Sequence, residues 1–255
     1  VQAAAYATFL TTIEAYDFDI LIYDGSDSAT LTAMQSFVER MANENGQYCQ
    51  LVAAEMTNPN SRFVINNETG VTLSDGTELT AQQVCWWLGG AQAGAQYNQS
   101  LTYAAYPDAV AVDPVLTNSQ IIAAINAGQI VLIAENGQVK IETDINSLTT
   151  FTPEIGKVYR KNRVMRLCNT IANDIYQQFA ANYIGIVNNN DAGRSQFRAA
   201  IVGYMVNLQG EQAIQNFSSD DVEVLPGNDI DSIVVNLAIQ AVDSVEKIYL
   251  TVTVS

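Results

Sequence analysis

Four aspartates surround the first short apolar run of the chain, and carboxylates so close together raise the question of metal binding. Asp17 and Asp19 lie at the start of the run Phe18–Tyr23, and Asp24 and Asp27 follow it. Carboxylates at the carboxyl end of a parallel strand are suitable Mg²⁺ ligands, so a metal site is one interpretation. The interpretation that we favour is that Asp24 and Asp27 form a turn and cap the next helix. We therefore predict no metal site here.

Catalysis by an activated serine or cysteine is disfavoured, because the chain contains no histidine. The Ser-His-Asp and Cys-His arrangements both need an imidazole as the general base. Ser26 and Ser195 each lie near a glycine, but neither is part of a G-x-S-x-G elbow. We predict no catalytic residue and no enzyme activity, with an α/β hydrolase or a metal-dependent enzyme as the alternative.

The three cysteines, Cys49, Cys85 and Cys168, are odd in number and far apart in the sequence. No two of them have the C-x-x-C spacing of a zinc or redox site. This pattern predicts buried thiols in a reducing compartment and no disulfide framework. We expect neither a metal nor a cofactor.

The composition favours a folded protein that is covered by other proteins. Of the 255 residues, 48% are apolar, which is enough for a substantial core. The net charge of −16 disfavours a general binder of nucleic acid or anionic membranes, and no apolar run reaches the roughly 18 residues of a membrane span. The 22 asparagines and 19 glutamines together outnumber the 27 acidic and 11 basic residues. Amides form hydrogen bonds without repelling one another, which suits a surface between subunits.

One basic segment, residues 157–166, interrupts this acidic chain. Residues 1–150 hold 16 acidic and 3 basic residues, whereas five of the eleven bases lie in these ten positions. Clustered bases repel one another, so we expect an anionic partner; a solvated basic face is the alternative. Nucleic acid is disfavoured, because the rest of the chain is strongly acidic and only Tyr159 is available for base stacking. The five residues are Lys157, Arg160, Lys161, Arg163 and Arg166.

Alternating strands and helices in the first half predict the scaffold that positions these residues. The runs 18–23 and 48–54 are short and apolar, as buried strands are, and residues 28–43 between them have helical periodicity. The order strand, crossover helix, strand predicts a parallel βαβ unit. Further predicted elements are a hairpin over 71–79, a helix from Thr80 to Ala95, a helix over 118–128 and a hairpin at Asn136-Gly137.

The last third has a different order of elements, which predicts a second domain. Residues 152–154, Thr-Pro-Glu, have the cap, proline and acid order of a helix start, so we expect a long helix to about Tyr183. A second helix over 191–210 precedes two alternating strands, 232–240 and 247–254. The fold class is therefore α/β (α+β). The predicted domains are 1–143, an outer domain with the βαβ unit, and 144–255, an α+β domain with two long helices and terminal strands.

Four segments in a defined order carry a family resemblance. They are residues 73–103; residues 144–166, DINSLTTFTPEIGKVYRKNRVMR; residues 183–197, YIGIVNNNDAGRSQF; and residues 243–254, DSVEKIYLTVTV. Over essentially its whole length the chain resembles the contractile tail sheath proteins of myophages of Gram-positive hosts and of phage-tail-like bacteriocins. The first segment is similar to the sheath domain called subtilisin-like, a name that implies no protease here because the chain lacks histidine.

The resemblance implies a structural role. Sheath subunits form sixfold rings that stack helically around an inner tail tube, contract on host contact and drive the tube through the envelope. The implied partners are further copies of the chain, the tail tube protein, and the baseplate and tail terminator proteins, in a virion tail assembled in the bacterial cytoplasm. A scaffold that forms rings without contracting is a further alternative. The family also carries an N-terminal portion, which this chain, starting at Val1, is expected to lack.

Two candidate contact sites follow from the resemblance and the sequence pattern together. The five bases at the start of the predicted helix are expected to face the tail tube or an acidic neighbour. An alternating strand at a chain end is an exposed edge unless another strand covers it, so we expect the last strand to pair across subunits. Its residues are Lys247, Ile248, Tyr249, Leu250, Thr251, Val252, Thr253 and Val254.

Overall fold

The computed structural model describes residues 3–246 and 250–253, and this part of the chain contains six α-helices and fourteen β-strands. The helices are α1 (Ala3–Ile13), α2 (Ser28–Arg40), α3 (Ala81–Gly94), α4 (Asn118–Asn126), α5 (Asn162–Asn182) and α6 (Asp191–Gly210). The strands are β1 (Ile20–Ile22), β2 (Gln50–Ala54), β3 (Val64–Asn67), β4 (Gly70–Leu73), β5 (Glu78–Leu79), β6 (Ala105–Tyr106), β7 (Ala109–Asp113), β8 (Gln129–Ile130), β9 (Leu132–Glu135), β10 (Gln138–Ile141), β11 (Ile214–Gln215), β12 (Val222–Pro226), β13 (Ile233–Leu237) and β14 (Gln240–Ala241).

A four-stranded parallel sheet in the order β1-β2-β3-β8 forms the centre of the first half. Successive side chains of β2 alternate between its two faces. Leu51 and Ala53 belong to a core that includes α1 and α2, whereas Val52 and Ala54 belong to a core that includes α3. Because both faces are buried, the strand is a continuous apolar run. The predicted βαβ unit, β1–α2–β2, is confirmed.

Two antiparallel sheets, β5-β4-β7 and β6-β10-β9, add strands to the core that contains α3. Both predicted hairpins are present. The turn between β9 and β10 places Asn136 and Gly137 at φ values of 53° and 78°, the left-handed conformation for which Asn-Gly is the favoured pair. Thr80 caps α3 and Thr117 caps α4, each in a capping box with a glutamine three positions later.

In the last third, α5 and α6 pack on two short antiparallel sheets, β11-β14 and β12-β13. Leu167 and Ile171 of α5 share a core with Phe197, Ile201 and Met205 of α6. Within each helix these residues recur at the spacing of one helix face. The chain is therefore a mixed α/β protein in which two long helices follow a half built on a βαβ unit.

The start of α5 differs from the sequence prediction. The cap pattern at Thr152 predicts a helix there, but α5 begins at Asn162 after a short 3₁₀ turn. Lys161 forms an antiparallel bridge with Ile145, which holds it extended at φ −80° and ψ 123°. The tertiary pairing thus overrides a local helix signal, as weak propensities allow.

The two strands predicted at the chain end also differ from expectation. The first is divided into β13, which pairs with β12, and β14, which pairs with β11 in a different sheet. Of the second, residues 247–249 and 254 lie outside the described residues, and residues 250–253 form no strand within this chain. Pairing with a neighbouring subunit stays a prediction, because a single chain contains no neighbour.

Candidate assembly interfaces

Two of the four aspartates around β1, Asp24 and Asp27, have structural partners. The Thr30 hydroxyl and N–H donate to Oδ2 of Asp27 at 2.6 and 2.8 Å, and these bonds lower the pKa of Asp27. The predicted helix-capping role of Asp27 is thereby confirmed. Asp24 accepts a 2.9 Å hydrogen bond from Nε1 of Trp86. Among residues 3–246 and 250–253, no group of three metal-ligating side chains is placed to hold an ion, and no helix is long and apolar enough to cross a membrane.

The three thiols are kept protonated by burial. Cys49 and Cys85 are buried, as predicted, and Cys168 is half-buried. Burial raises the pKa of Cys49 and Cys85 to about 12 and that of Cys168 to about 11. Because the thiolate is the reactive form, these groups are poor nucleophiles at neutral pH. The two candidate serines, Ser26 and Ser195, are exposed on the surface.

Arg166 of the basic segment binds inside the chain. Its Nη1 donates to the Gln99 carbonyl at 2.7 Å, and its Nη2 donates to Oε1 of Gln92 and lies 3.6 Å from Oδ2 of Asp144. Asp144 also accepts hydrogen bonds from the Leu101 N–H (3.0 Å) and from Nδ2 of Asn162 (2.8 Å). Burial lowers the pKa of Arg166, and the nearby carboxylate opposes that shift. The network joins the start of α5 to the end of α3.

Lys161 binds the end of the described chain. Its Nζ forms an ion pair and hydrogen bond with Oε2 of Glu246 and lies 4.0 Å from Asp243. The Thr102 hydroxyl donates to Oε1 of Glu246 at 2.9 Å, and the Ser100 hydroxyl donates to it at 3.3 Å. The segment after β14 is therefore anchored on the first half of the chain, and the terminal residues continue from this anchor.

The other three bases of the segment have no carboxylate partner within the described part of the chain. Lys157 is exposed in the 3₁₀ turn, and Arg160 is half-buried. Nε and Nη2 of Arg160 are buried without a hydrogen-bond acceptor, as is Nε of Arg163, a residue only 9% exposed. Only Arg163 and Arg166 lie in α5, so the predicted single basic helix is wrong: the segment is a 3₁₀ turn, an extended residue and a helix start.

Sequence reasoning did not find the acidic partners of the segment. Asp144 lies just before it in the sequence, inside the run that carries the family resemblance, but nothing local marks it as buried. Glu246 lies 85 positions after Lys161. Arg62 was missed as well; its guanidinium lies 5.5 Å from the centre of the Tyr159 ring, which places it beside the segment.

Apolar side chains near the end of the described chain are exposed to solvent. Leu250 and Val252 are 82% and 74% exposed, and Val245 before the anchor is 87% exposed. Two strand edges are also open, because β12 and β13 form a sheet of only two strands within the described residues. Exposed apolar side chains and unpaired strand edges are each typical of protein contact sites.

Helix capping, hydrogen bonds and ion pairs within the chain thus account for Asp24, Asp27, Lys161 and Arg166, and the chain that carries them is a mixed α/β protein. The profile of the phage tail sheath protein central domain matches residues 1–147, and that of the phage tail sheath C-terminal domain matches residues 154–255. The chain belongs to the phage tail sheath family.

Relatives and solved structures agree with this assignment. The chain is 33% identical to the phage-like element PBSX protein XkdK of Bacillus subtilis, over 98% of the chain and 56% of that protein. It is 38% identical to the sheath tail protein of Desulfitobacterium hafniense, with a TM-score of 0.89 over 98% of this chain and 59% of that one. The contracted helical sheath of the anti-feeding prophage, 15% identical, shares the fold with a TM-score of 0.72 over 98% of this chain and 73% of that one. The chain spans somewhat over half the length of the first two proteins.

Proposed function

We propose that the protein containing this chain is a structural subunit of a contractile tail sheath. Its copies stack as sixfold rings around a tail tube, meet baseplate and tail terminator proteins at the ends, and contract to drive the tube through the host envelope. The observation that carries the proposal is the match of two sheath domains, in order, over almost the whole chain. The proposed location is the virion tail, assembled in the host cytoplasm.

We also propose that the subunit is not an enzyme and that its two domains divide near residue 143. The chain lacks histidine, and burial keeps its thiols in the unreactive form. The backbone of residues 144–146 pairs with residues 160–162 just before α5, which supports placing 144–146 in the second domain. The sheath profiles also change between residues 147 and 154.

The terminal segment, residues 247–254, is proposed to add a strand to a neighbouring subunit. Its described apolar residues are exposed in the single chain, and its alternating sequence is that of a strand with one buried face. The open edges of β12 and β13 offer a site of addition on the next copy. Strand addition supplies main-chain hydrogen bonds and a defined register. The contact joins different surfaces, so it propagates along a helix.

Electron microscopy of the full-length protein tests the proposed function. We expect purified protein to polymerise into hollow tubes with sixfold symmetry. Closed rings that never stack would support the non-contracting scaffold instead. A protein that stays monomeric at high concentration, in the presence and absence of its tail tube protein, would contradict the sheath role.

A further inference from the structure

Four basic residues around the 3₁₀ turn form no ion pair within the described part of the chain. Lys157, Arg160 and Arg163 lie in the segment itself, and Arg62 reaches it through its contact with Tyr159. We call Arg62, Lys157, Arg160 and Arg163 the basic patch. Its lack of acidic neighbours is unexpected in a chain with 27 acidic and 11 basic residues. Elsewhere in the same segment, Lys161 and Arg166 do have carboxylate partners.

Two arginines of the patch have buried donors with no acceptor. These atoms are Nε and Nη2 of Arg160 and Nε of Arg163. Buried N–H groups almost always have partners in native structures, because an unpaired one loses its water without compensation. Burial lowers the pKa of Arg160, and no acid opposes that shift. These buried atoms are themselves out of reach of another molecule, but Lys157 is exposed and Arg160 is half-buried, so carboxylates of another molecule would supply the missing negative charge at those two residues.

The same chain carries a complementary surface. Asp17, Asp19 and Asp174 line a cleft of about 590 Å³ beside the middle of α5. None of the three forms an ion pair within the described residues, although Asp174 accepts a 2.6 Å hydrogen bond from the Tyr204 hydroxyl. Glu14 in the same cleft is paired with Arg40 at 2.8 Å. We call Asp17, Asp19 and Asp174 the acidic cleft.

Within one copy of the chain, Asp174 of the acidic cleft lies too far from Arg163 of the basic patch to form an ion pair with it. Asp174 follows Arg163 by eleven residues on α5, a separation of about 16 Å at 1.5 Å per residue. Side chains do not bridge that distance along a straight helix. Arg163 and Asp174 therefore cannot pair within one copy.

We propose that the basic patch of one copy docks on the acidic cleft of a second copy of this chain. The inference rests on the proposed function, which brings many copies side by side. Charge complementarity selects the occupant, because the chain supplies both bases and carboxylates that form no ion pair within the described residues. The contact is heterologous, patch to cleft, so each copy uses both surfaces and the contact extends along the assembly.

Charge swapping in the full-length protein tests the docking. The patch variant is Lys157→Glu/Arg160→Glu, the cleft variant is Asp17→Lys/Asp19→Lys, which leaves the Asp174–Tyr204 hydrogen bond intact, and the swapped variant combines all four changes. We expect each single-surface variant to raise the concentration needed for tube assembly about tenfold at moderate salt, and the swapped variant to return within about twofold of wild type. A matched control, Lys140→Glu/Arg194→Glu, makes the same charge change outside the patch and should assemble normally.

The outcomes separate the docking from the sheath role itself. Wild-type protein that forms no tubes contradicts the proposed function. If wild type forms tubes and the patch variant assembles equally well, the docking is overturned. The docking is also overturned if the patch variant is defective and the swapped variant does not restore assembly, because the patch then faces another partner, such as the tube. If a reversed variant does not fold, Lys157→Cys mixed with Asp17→Cys gives a second readout at two exposed positions. A disulfide between copies supports the contact, and its absence in assembled tubes contradicts it.

Discussion

Two pairs of bases in one short segment have opposite surroundings. Lys161 and Arg166 contact Glu246 and Asp144 within the chain, whereas Lys157 and Arg160 contact no carboxylate in the described residues. The first pair joins parts of the sequence that are far apart, and the second pair faces outward or carries unpaired donors. The difference teaches that a run of charge is not one functional unit. Each base must be judged by whether the fold brings a carboxylate to it.

The largest expected effect on stability is at Asp144, the buried carboxylate that Arg166 contacts. Asp144→Ala removes the acceptor shared by Arg166, Asn162 and the Leu101 N–H. Removing one partner of a buried charged network leaves the others unpaired, so we expect a loss of about 3–5 kcal/mol in the free energy of unfolding. Urea unfolding measures it. The exposed Asp17→Ala should change stability by less than about 0.5 kcal/mol; equal effects of the two changes would erase the distinction.

The next prediction concerns the terminal segment that follows the ion pair between Lys161 and Glu246. Deleting residues 247–255 from the full-length protein should abolish tube assembly, because the strand offered to a neighbour is lost, while the unfolding temperature of the subunit changes little. Negative-stain microscopy and thermal unfolding measure the two effects. Val252→Ile, which keeps the alternation, should assemble as wild type does. Normal sheaths after the deletion would show that the terminal segment is not a structural strand.

A smaller effect is expected at the anchor itself. Glu246→Gln keeps the shape of the side chain but removes the charge that Lys161 and Thr102 contact. Both ends of the ion pair are partly shielded from water, so we expect a loss of about 1–2 kcal/mol and faster proteolysis of the terminal residues. Glu154→Gln makes the same change at an exposed site and should have no effect. Unchanged proteolysis in Glu246→Gln would mean that the segment is held by other contacts.

The smallest effect concerns an exposed pair, Glu14 with Arg40. Hydrogen bonds from Arg40 and then Asn45 lower the pKa of Glu14 from 4.5 to about 2. A folded-state pKa below the unfolded one means that the pair stabilises the protein above about pH 4.5 and that this stabilisation is lost as the pH falls towards 2. Wild type and Glu14→Gln should therefore differ in urea unfolding at pH 6 and converge near pH 2. A constant difference at every pH would contradict the assignment.

Signals that depend on a few neighbouring residues were predictable. Thr80 and Asp27 cap helices through atoms three positions away, and Asn136-Gly137 forms its turn from its own backbone preferences. Structural features that depend on residues far apart in the sequence could not be predicted in this way. The cap pattern at Thr152 is sound as local chemistry, but the bridge between Ile145 and Lys161 imposes an extended residue and delays the helix.

By itself, the sequence determined the kind of protein this is. Alternating apolar strands and amphipathic helices specified a mixed α/β fold, and the order of its segments specified the sheath family. Only the tertiary structure decided which charges meet. A carboxylate contributes most where it is buried beside a base, and burial depends on the packing of residues as far apart as Lys161 and Glu246. The periodicity of a sequence reports which side of an element is apolar, but it carries no information about which distant side chain will lie opposite.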